Sequence, residues 1–523
     1  MSDALLNPFE LLSDALDRVI ASPSSSHTWE NLTALSHGVG DVSVRDQVVR
    51  LLRAQVADTG LPAFYRALYL DLLTDAPEHL VAAARALQET APVDADRLAR
   101  FHYFAWQRML MRPGAQGLAE RLLQAGLPAM AAQLGAALAR AAPGRIGPRP
   151  IGRVQRVAVV SPYLLTPLHP PTAMALDQCA VLAQQGCAVE LFTCQESVGP
   201  GFEHLLANTI GVERPAIEPT SWLQGRAWAP RRVHVADDRF SLLRRGAAML
   251  DSIGAFDPDL VMFVGMQSLL SASLYAARPV VALCVNSMAP MVPADVLLTT
   301  HQAADRQWQR SWGEAFPPGL GWYHPWRVWR QAARQALARA DLGLQPAQVA
   351  LVTVGSQLGH RIQGAWAQAM ADALRRHPHL VWVLVGDDGA LPPALAAVPP
   401  AQMRLLPRSD DVPAVLACAD IYLHPPIPGG GFAVAEAMSH GLPVLALAGA
   451  DGGDKLGDDA LPDQAGYMAL LDALAHDAQA RQLRGERHRQ HFAARLDLAQ
   501  SGPSLVAAAA AALAGYQRRT GEK

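Results

Sequence analysis

Charge of one sign, paired cysteines and long apolar runs are what this sequence has least of. The formal net charge is -3 over 523 residues, with a pI near 6.6. Without a basic excess there is no electrostatic footprint for generic nucleic-acid binding. The five cysteines, Cys179, Cys187, Cys194, Cys284 and Cys418, form no CxxC pair. Their spacing fits no zinc site, and an odd, sparse set fits a reducing compartment. The start, MSDALLNPFELL, has no basic n-region and does not read as a signal peptide. No run of about 18 apolar residues is free of charge, so no membrane span is predicted and membrane contact is at most peripheral. These absences predict a cytoplasmic protein.

What remains is a chain long enough for two to four domains of about 150 residues each. Half its residues are hydrophobic and 17% are charged, so it can bury large cores. Residues 1–145 read as helical throughout. DQVVRLLRAQVADTG and EHLVAAARALQET repeat apolar residues at three- and four-residue spacing, and PSSS, GLPAF and APVD break the pattern. Six or seven helices are expected, with no fixed-period repeat. AAPGRIGPRP, residues 142–150 with the alanine before them, reads as a linker.

The pattern then changes to short β-branched runs. VQRVAVVS (154–161), a helix over 172–185 and AVELFT (188–193) have the spacing of a parallel βαβ unit. PDLVMFVG (258–265) and PVVALCV (279–285) read as further buried parallel strands. Residues 151–330 are thus expected to hold one doubly wound α/β domain. A connector with Trp308, Trp312, Trp322, Trp326 and Trp329 ends it. Large aromatics there anchor an irregular segment, or form a lid. A second α/β domain is expected over 340–485. Its strands are 350–354, 380–385, 403–406, 421–424 and 443–447, with helices over 363–376 and 409–419. Helices close the chain over 486–523. Tandem domains of this kind place ligands at the carboxyl ends of their strands.

The densest motif is PPIPGGGFAVAEAMSHGLPV, residues 425–444. Gly429, Gly430 and Gly431 let the backbone approach a ligand and turn N–H groups into one concavity. A helix from about Phe432 adds its N-terminal dipole. A phosphate is the natural occupant, and a flexible turn is the plain alternative. In the first domain, His169 stands before Pro170-Pro171-Thr172, where a strand gives way to a helix. An imidazole there suits a general base, a substrate-orienting group or simply a helix cap. Met266, Gln267 and Asn286 follow other strand ends. Asp387-Asp388 reads as a turn. Arg404 and Arg408 could contact base or phosphate, or stand as surface arginines.

The order PPxxGGGxxxxEAMxxGLPV resembles the donor-binding signature of the GT-B nucleotide-sugar glycosyltransferases, family 4 above all. DDVPAVLACADIYLHPP resembles that family's lead-in, and VTVGSQLGHRI (352–362) the first strand and turn of its second domain. The resemblance covers about residues 350–450. It implies that Glu436 holds the donor ribose and that Arg361, beside Gly355, faces the diphosphate. Pro428 stands where that family carries a second Glu near the transferred sugar, so nothing carries over for the sugar or the stereochemical outcome. HPPTAMAL and PDLVMFVGMQSLLSASLYAARPVVAL resemble motifs of family 41, the O-linked N-acetylglucosamine transferases. Their bacterial adhesin-modifying relatives also carry a helical domain ahead of two α/β domains. Where those have GHP, this chain has VNSM (285–288).

The expected fold is therefore α/β, GT-B, two Rossmann-like domains preceded by an all-α domain. The expected activity is transfer of a sugar from a UDP-, GDP-, TDP- or ADP-sugar to an acceptor, without a cofactor or metal. His169 is the expected catalytic residue. Gly355, Arg361, Arg408, Gly429, Gly430, Gly431, Phe432 and Glu436 are the expected donor site. A protein acceptor of adhesin or flagellin type, docked on the helical domain, is the leading expectation. Lipopolysaccharide or exopolysaccharide assembly, and an inactive GT-B adaptor, are the alternatives.

Overall fold

The computed structural model describes the chain except residues 1–7, 23–24, 38–41, 55–58, 75, 91–93, 112–116, 167–168, 197–228, 284, 286–289, 301–311, 357, 387–392, 428, 450 and 522–523. Asn286, Asp387, Asp388, Trp308, Cys284 and Pro428 lie outside the described residues. The chain divides into two compact units. One comprises Met1–Met109, Ala115–Trp322 and Val506–Lys523, and the other Leu110–Gly114 and Tyr323–Leu505.

The first unit opens with eight helices among the described residues: α1 (Pro8–Ala21), α2 (Ser26–His37), α3 (Val42–Ala54), α4 (Gly60–Thr74), α5 (Pro77–Gln88), α6 (Ala95–Met111), α7 (Leu118–Gln124) and α8 (Leu127–Ala141). The count exceeds the expected six or seven because the last apolar stretch is split. A left-handed Gly126 separates α7 from α8, with Pro128 in the first turn of α8. Among the described residues no single helix is long and apolar enough to cross a membrane. The α7–α8 pair passes that test jointly, but it is bent by 52°.

The α/β part of this unit is a seven-stranded sheet in the order β3-β2-β1-β4-β5-β6-β7. Its strands are β1 (Arg156–Val160), β2 (Ala188–Thr193), β3 (Val233–Val235), β4 (Leu260–Val264), β5 (Val280–Leu283), β6 (Val296–Thr299) and β7 (Leu320–Tyr323). Strand β1 pairs in parallel with β2 and β4, Val157 lying opposite Val189 and Leu260. β4 is buried along its whole length, as a strand covered on both faces must be. Strands β3, β6 and β7 were not expected from the sequence. They are short, and their residues (VHV, VLLT, LGWY) lack a long β-branched run.

Helix α8 lies directly on this α/β part. A methyl group on its Gly135 would come within 2.5 Å of Ala272 Cβ, and its Leu138 packs against Gly246. The segment 142–150 is a pinned connection rather than a free linker. Arg149 donates to Asp257 at 2.8 Å and to Asp259 at 2.6 Å. Its backbone N–H and C=O both bond the hydroxyl of Tyr516, on the helix Gly502–Thr520.

The second unit is built on a five-stranded sheet, order β10-β9-β8-β11-β12, every pair parallel. These are β8 (Val349–Val354), β9 (Leu380–Val385), β10 (Met403–Leu406), β11 (Ile421–Leu423) and β12 (Val444–Leu445). Alternate residues enter opposite cores, because strand side chains alternate in direction. Leu351 and Trp382 join Trp366 and Tyr467 on one face. Val352, Val383 and Tyr422 join Val434, Met438 and Phe492 on the other. The indole N–H of Trp382 is satisfied by Thr353 Oγ1 at 3.0 Å. The helix expected over 409–419 contracts to Val412–Leu416. Asp411 caps it, accepting from Ala414 N–H, and Pro413 fixes its first turn. The connector tryptophans are packed locally: Trp312 edge-on to Phe316, and Trp326 edge-on to His324.

Candidate functional site

In the second sheet the strand order reverses between β8 and β11, since chain connections run outward on either side of that pair. Ligands of doubly wound sheets bind outside the carboxyl ends of the strands at such a point. Most of the residues singled out from the sequence gather there.

β8 gives onto Gly355, whose N–H donates to Val385 O of β9. Arg361 ends the short helix that follows, Leu358–Arg361, and its Nη1 lies 3.4 Å from Ser356 O. Burial pushes its guanidinium down to about 10. Retaining a cation at such cost is reasonable where an anion will arrive.

β11 ends one residue before His424, and the glycine loop follows. Gly429 and Gly430 are both left-handed, at φ +76° and +86°. Gly430 is the N-cap of the nine-residue helix Gly431–Ser439. A methyl group on Gly430 would lie 2.7 Å from His424 Cε1, so both its backbone angle and its surroundings require glycine. The N–H of Gly431, the first in the helix, is already bonded. It donates to Asp451 Oδ2 at 2.9 Å, and Asp451 Oδ1 accepts from Lys455 Nζ at 3.2 Å. The expected phosphate-facing amide therefore holds an internal carboxylate. Burial would raise that acid, but Lys455, the Gly431 N–H and His424 outweigh it and hold it below the usual carboxylate range. His424, only 2% exposed, is pushed down to about 4, chiefly by burial, with Arg361 acting the same way and Asp451 against.

Glu436 lies in the second turn of the helix and is half-buried. Its carboxyl is pushed up to about 7, first by burial and then by the charge of Asp411. No described residue donates a hydrogen bond to it. A carboxylate in that state suits a ligand that brings its own donors, such as a vicinal diol. Phe432 is half-buried and packs on the apolar core beneath the helix. Arg408 is exposed, and the structure does not join it to this group.

The first sheet reverses between β1 and β4. His169 occupies the N-cap position of α9 (Pro170–Gln184), but its ring does not cap the helix. Its Nδ1 lies 3.4 Å from Thr172 Oγ1, and its ring centroid 5.8 Å from that of Tyr163. Met266 and Gln267, at the end of β4, line a cavity of about 20 Å³, room for one water. His102, Tyr103 and Trp106 of α6, with Pro162, Tyr163 and Glu196, complete it. Glu196 accepts from Ser268 Oγ at 2.5 Å and Leu269 N–H at 3.2 Å. Burial outweighs these bonds and pushes its acid up to about 8, so it is largely protonated at neutral pH.

Asp451, Lys455, His424 and Glu196 were missed in the sequence. One compositional signal was available: of 44 lysines and arginines, only Lys455 and Lys523 are lysine. Glu196 has no such signal, since CQES resembles any strand exit.

Residues 348–476 match the family model described as "Glycosyl transferases group 1". No curated protein matches the chain in sequence. Among solved structures, the chain is similar to a mutant of the Thermobaculum terrenum O-GlcNAc transferase. Identity is 16%, over 99% of this chain and 100% of that one, with a TM-score of 0.53. It is also similar to the glycosyltransferase SnogD of Streptomyces nogalater, at 18% identity, 68% and 100% coverage and TM-score 0.37. A putative UDP-N-acetylglucosamine 2-epimerase of Listeria monocytogenes gives 13%, 71% and 98%, and 0.40. The fold is GT-B with a helical region ahead of the two sheets, and the second α/β domain is a glycosyltransferase group 1 domain. The protein is a glycosyltransferase.

Proposed function

We propose that this glycosyltransferase takes its sugar from a nucleoside diphosphate donor held in the second unit. The observation that carries the reading is the left-handed Gly429-Gly430 turn opening a helix at the reversal point of the sheet. Its backbone N–H groups and the helix dipole suit a diphosphate, and Arg361 supplies a fixed positive charge nearby. Together they offset the charge that develops on the leaving diphosphate, which is the task a metal performs in other sites. Glu436 holds the ribose hydroxyls. The diol's two O–H donors favour the ionised carboxylate, to which no described residue donates a hydrogen bond.

On the acceptor side, His169 is proposed as the base that receives the acceptor's proton. Its half-exposed ring stands beyond the end of β1 and is not committed to capping. A protein acceptor is the leading reading. Eight helices among the described residues, the last of them packed on the first α/β domain, are a large surface that sugar-nucleotide binding does not need.

The test is a thermal-shift panel with UDP, GDP, TDP and ADP, followed by mass spectrometry of proteins co-expressed with the enzyme. One nucleotide should raise Tm, and Glu436→Ala should remove that rise. If none of the four shifts Tm, the donor reading is wrong and an adaptor without activity gains. Hexose added to an isolated glycan, with no modified protein, would favour polysaccharide assembly. His169→Ala should leave the thermal shift intact and abolish transfer.

A further inference from the structure

The amide at the head of the glycine-loop helix is occupied by an anion the chain itself provides. Asp451 bridges two groups that a phosphate would also use, the Gly431 N–H at 2.9 Å and the Lys455 ammonium at 3.2 Å. Lys455 is 8% exposed. It stands on the short helix Asp451–Leu456, which approaches the loop so closely that a methyl on Gly452 would lie 2.2 Å from His424 Cδ2. The buried Nε2 of His424 lies in the same wall and has no hydrogen-bond partner. The walls thus hold the Lys455 ammonium, an amide at a helix head and an unsatisfied imidazole nitrogen around one carboxylate, with the Arg361 charge felt by His424.

Composition sharpens the point. This chain meets almost every need for a cation with arginine, and apart from Lys523 the single lysine is this one. An ammonium is a compact charge with three donors that can be redirected by rotating its stem, whereas a guanidinium is a planar fork suited to one fixed partner. A lysine kept here fits a cation that must change partners.

Resting on the donor reading above, we propose that Lys455 is a diphosphate ligand of this enzyme and that Asp451 is its placeholder. In the ligand-free protein the Asp451 carboxylate holds the amide and the ammonium in position. When the donor diphosphate arrives, the carboxylate turns away, and the phosphate takes over both partners, with His424 Nε2 beside it. The chain thereby avoids an unpaired buried lysine when empty, which would be strongly destabilising.

The test is calorimetric titration of the full chain with the nucleoside diphosphate that shifts Tm, with the matching nucleoside and with inorganic pyrophosphate. Lys455→Met should weaken the nucleoside diphosphate and pyrophosphate about ten- to a hundredfold and leave the nucleoside unchanged. A purely structural lysine would weaken all three together, and that result overturns the proposal. Asp451→Asn should tighten pyrophosphate several-fold, because no internal anion competes; weaker binding overturns the placeholder role. If Lys455→Met does not fold, the double variant Lys455→Met/Asp451→Asn removes the pair without stranding a charge. It should still bind the nucleoside as the parent does and the diphosphate more weakly. If the parent binds a nucleoside diphosphate and the Lys455 variants bind it equally well, this inference fails alone. If neither parent nor variants bind any of the four diphosphates, the donor reading fails and takes the inference with it.

Discussion

The two sheets reverse their strand order in the same way and finish the reversal point with opposite materials. In the second unit the strand ends give onto glycines, Gly355 and Gly429 to Gly431, with Gly452 opposite, and the side chains that enter are Arg361, His424, Asp451 and Lys455. In the first, Tyr163, Met266 and Gln267 fill the equivalent place under Tyr103 and Trp106, leaving room for one water. The acids differ accordingly. Asp451 stays ionised because a lysine and an amide face it, whereas Glu196 is driven toward the neutral form. The same topology thus yields one site that stores charge and another that suppresses it. Topology fixes where a ligand can go, and wall chemistry decides which ligand.

The comparison breaks most readily at the glycine wall. Gly452→Val places branched carbons where His424 already lies and should cost about 3 kcal/mol or more, together with the nucleotide-induced rise in Tm. Both are read in one thermal scan, and a fully stable variant would falsify the close packing described.

Next in size is Glu196→Gln. With a folded pKa near 8, above its unfolded value near 4.5, Glu196 favours the fold while protonated. Its contribution is present below about pH 4.5 and declines as pH rises toward 8, on the order of 1 kcal/mol per pH unit. The glutamine variant should lose that slope in urea titrations between pH 5 and 8. An unchanged slope assigns it to another group.

A smaller effect separates the sites by their response to ligand. Glu436 sits near pH 7 in the free protein, and a ribose diol favours its ionised form. Nucleoside diphosphate affinity should therefore rise from pH 6 to pH 8 and release protons, seen as a buffer-dependent heat. Glu436→Gln should bind more weakly and show no such dependence. The smallest effect is expected at Arg408, exposed and apart from the group. Arg408→Ala should change diphosphate affinity less than twofold, and a tenfold loss would bring it back into the site.

These differences mark what the sequence could and could not reveal. The strands of the second unit were legible because VALVTV and LVWVLV are long β-branched runs bounded by turn residues. Gly429 to Gly431 and Glu436 were legible because backbone angles and helix register are local properties. The partner of Gly431 was not, because Asp451 is twenty residues away and only packing brings it to the helix head. For the same reason the sequence pointed to Gln267 but missed Glu196 and α6, which reach the cavity from distant segments. The pinned 142–150 connection likewise depends on Tyr516, more than 360 residues downstream.

That last contact has a consequence for the order in which the protein can be made. The helix Gly502–Thr520 belongs from Val506 onward to the first unit, where Arg519 lies 3.9 Å from the ring of Tyr275 and bonds Asp295 at 2.9 Å. A ribosome must therefore translate the entire second unit before the first can be finished. The nascent first unit waits with its β5–β6 flank uncovered, while every segment of the second has been translated by Leu505. Premature termination near residue 505 would spare the segments of the second unit and injure the half synthesised first.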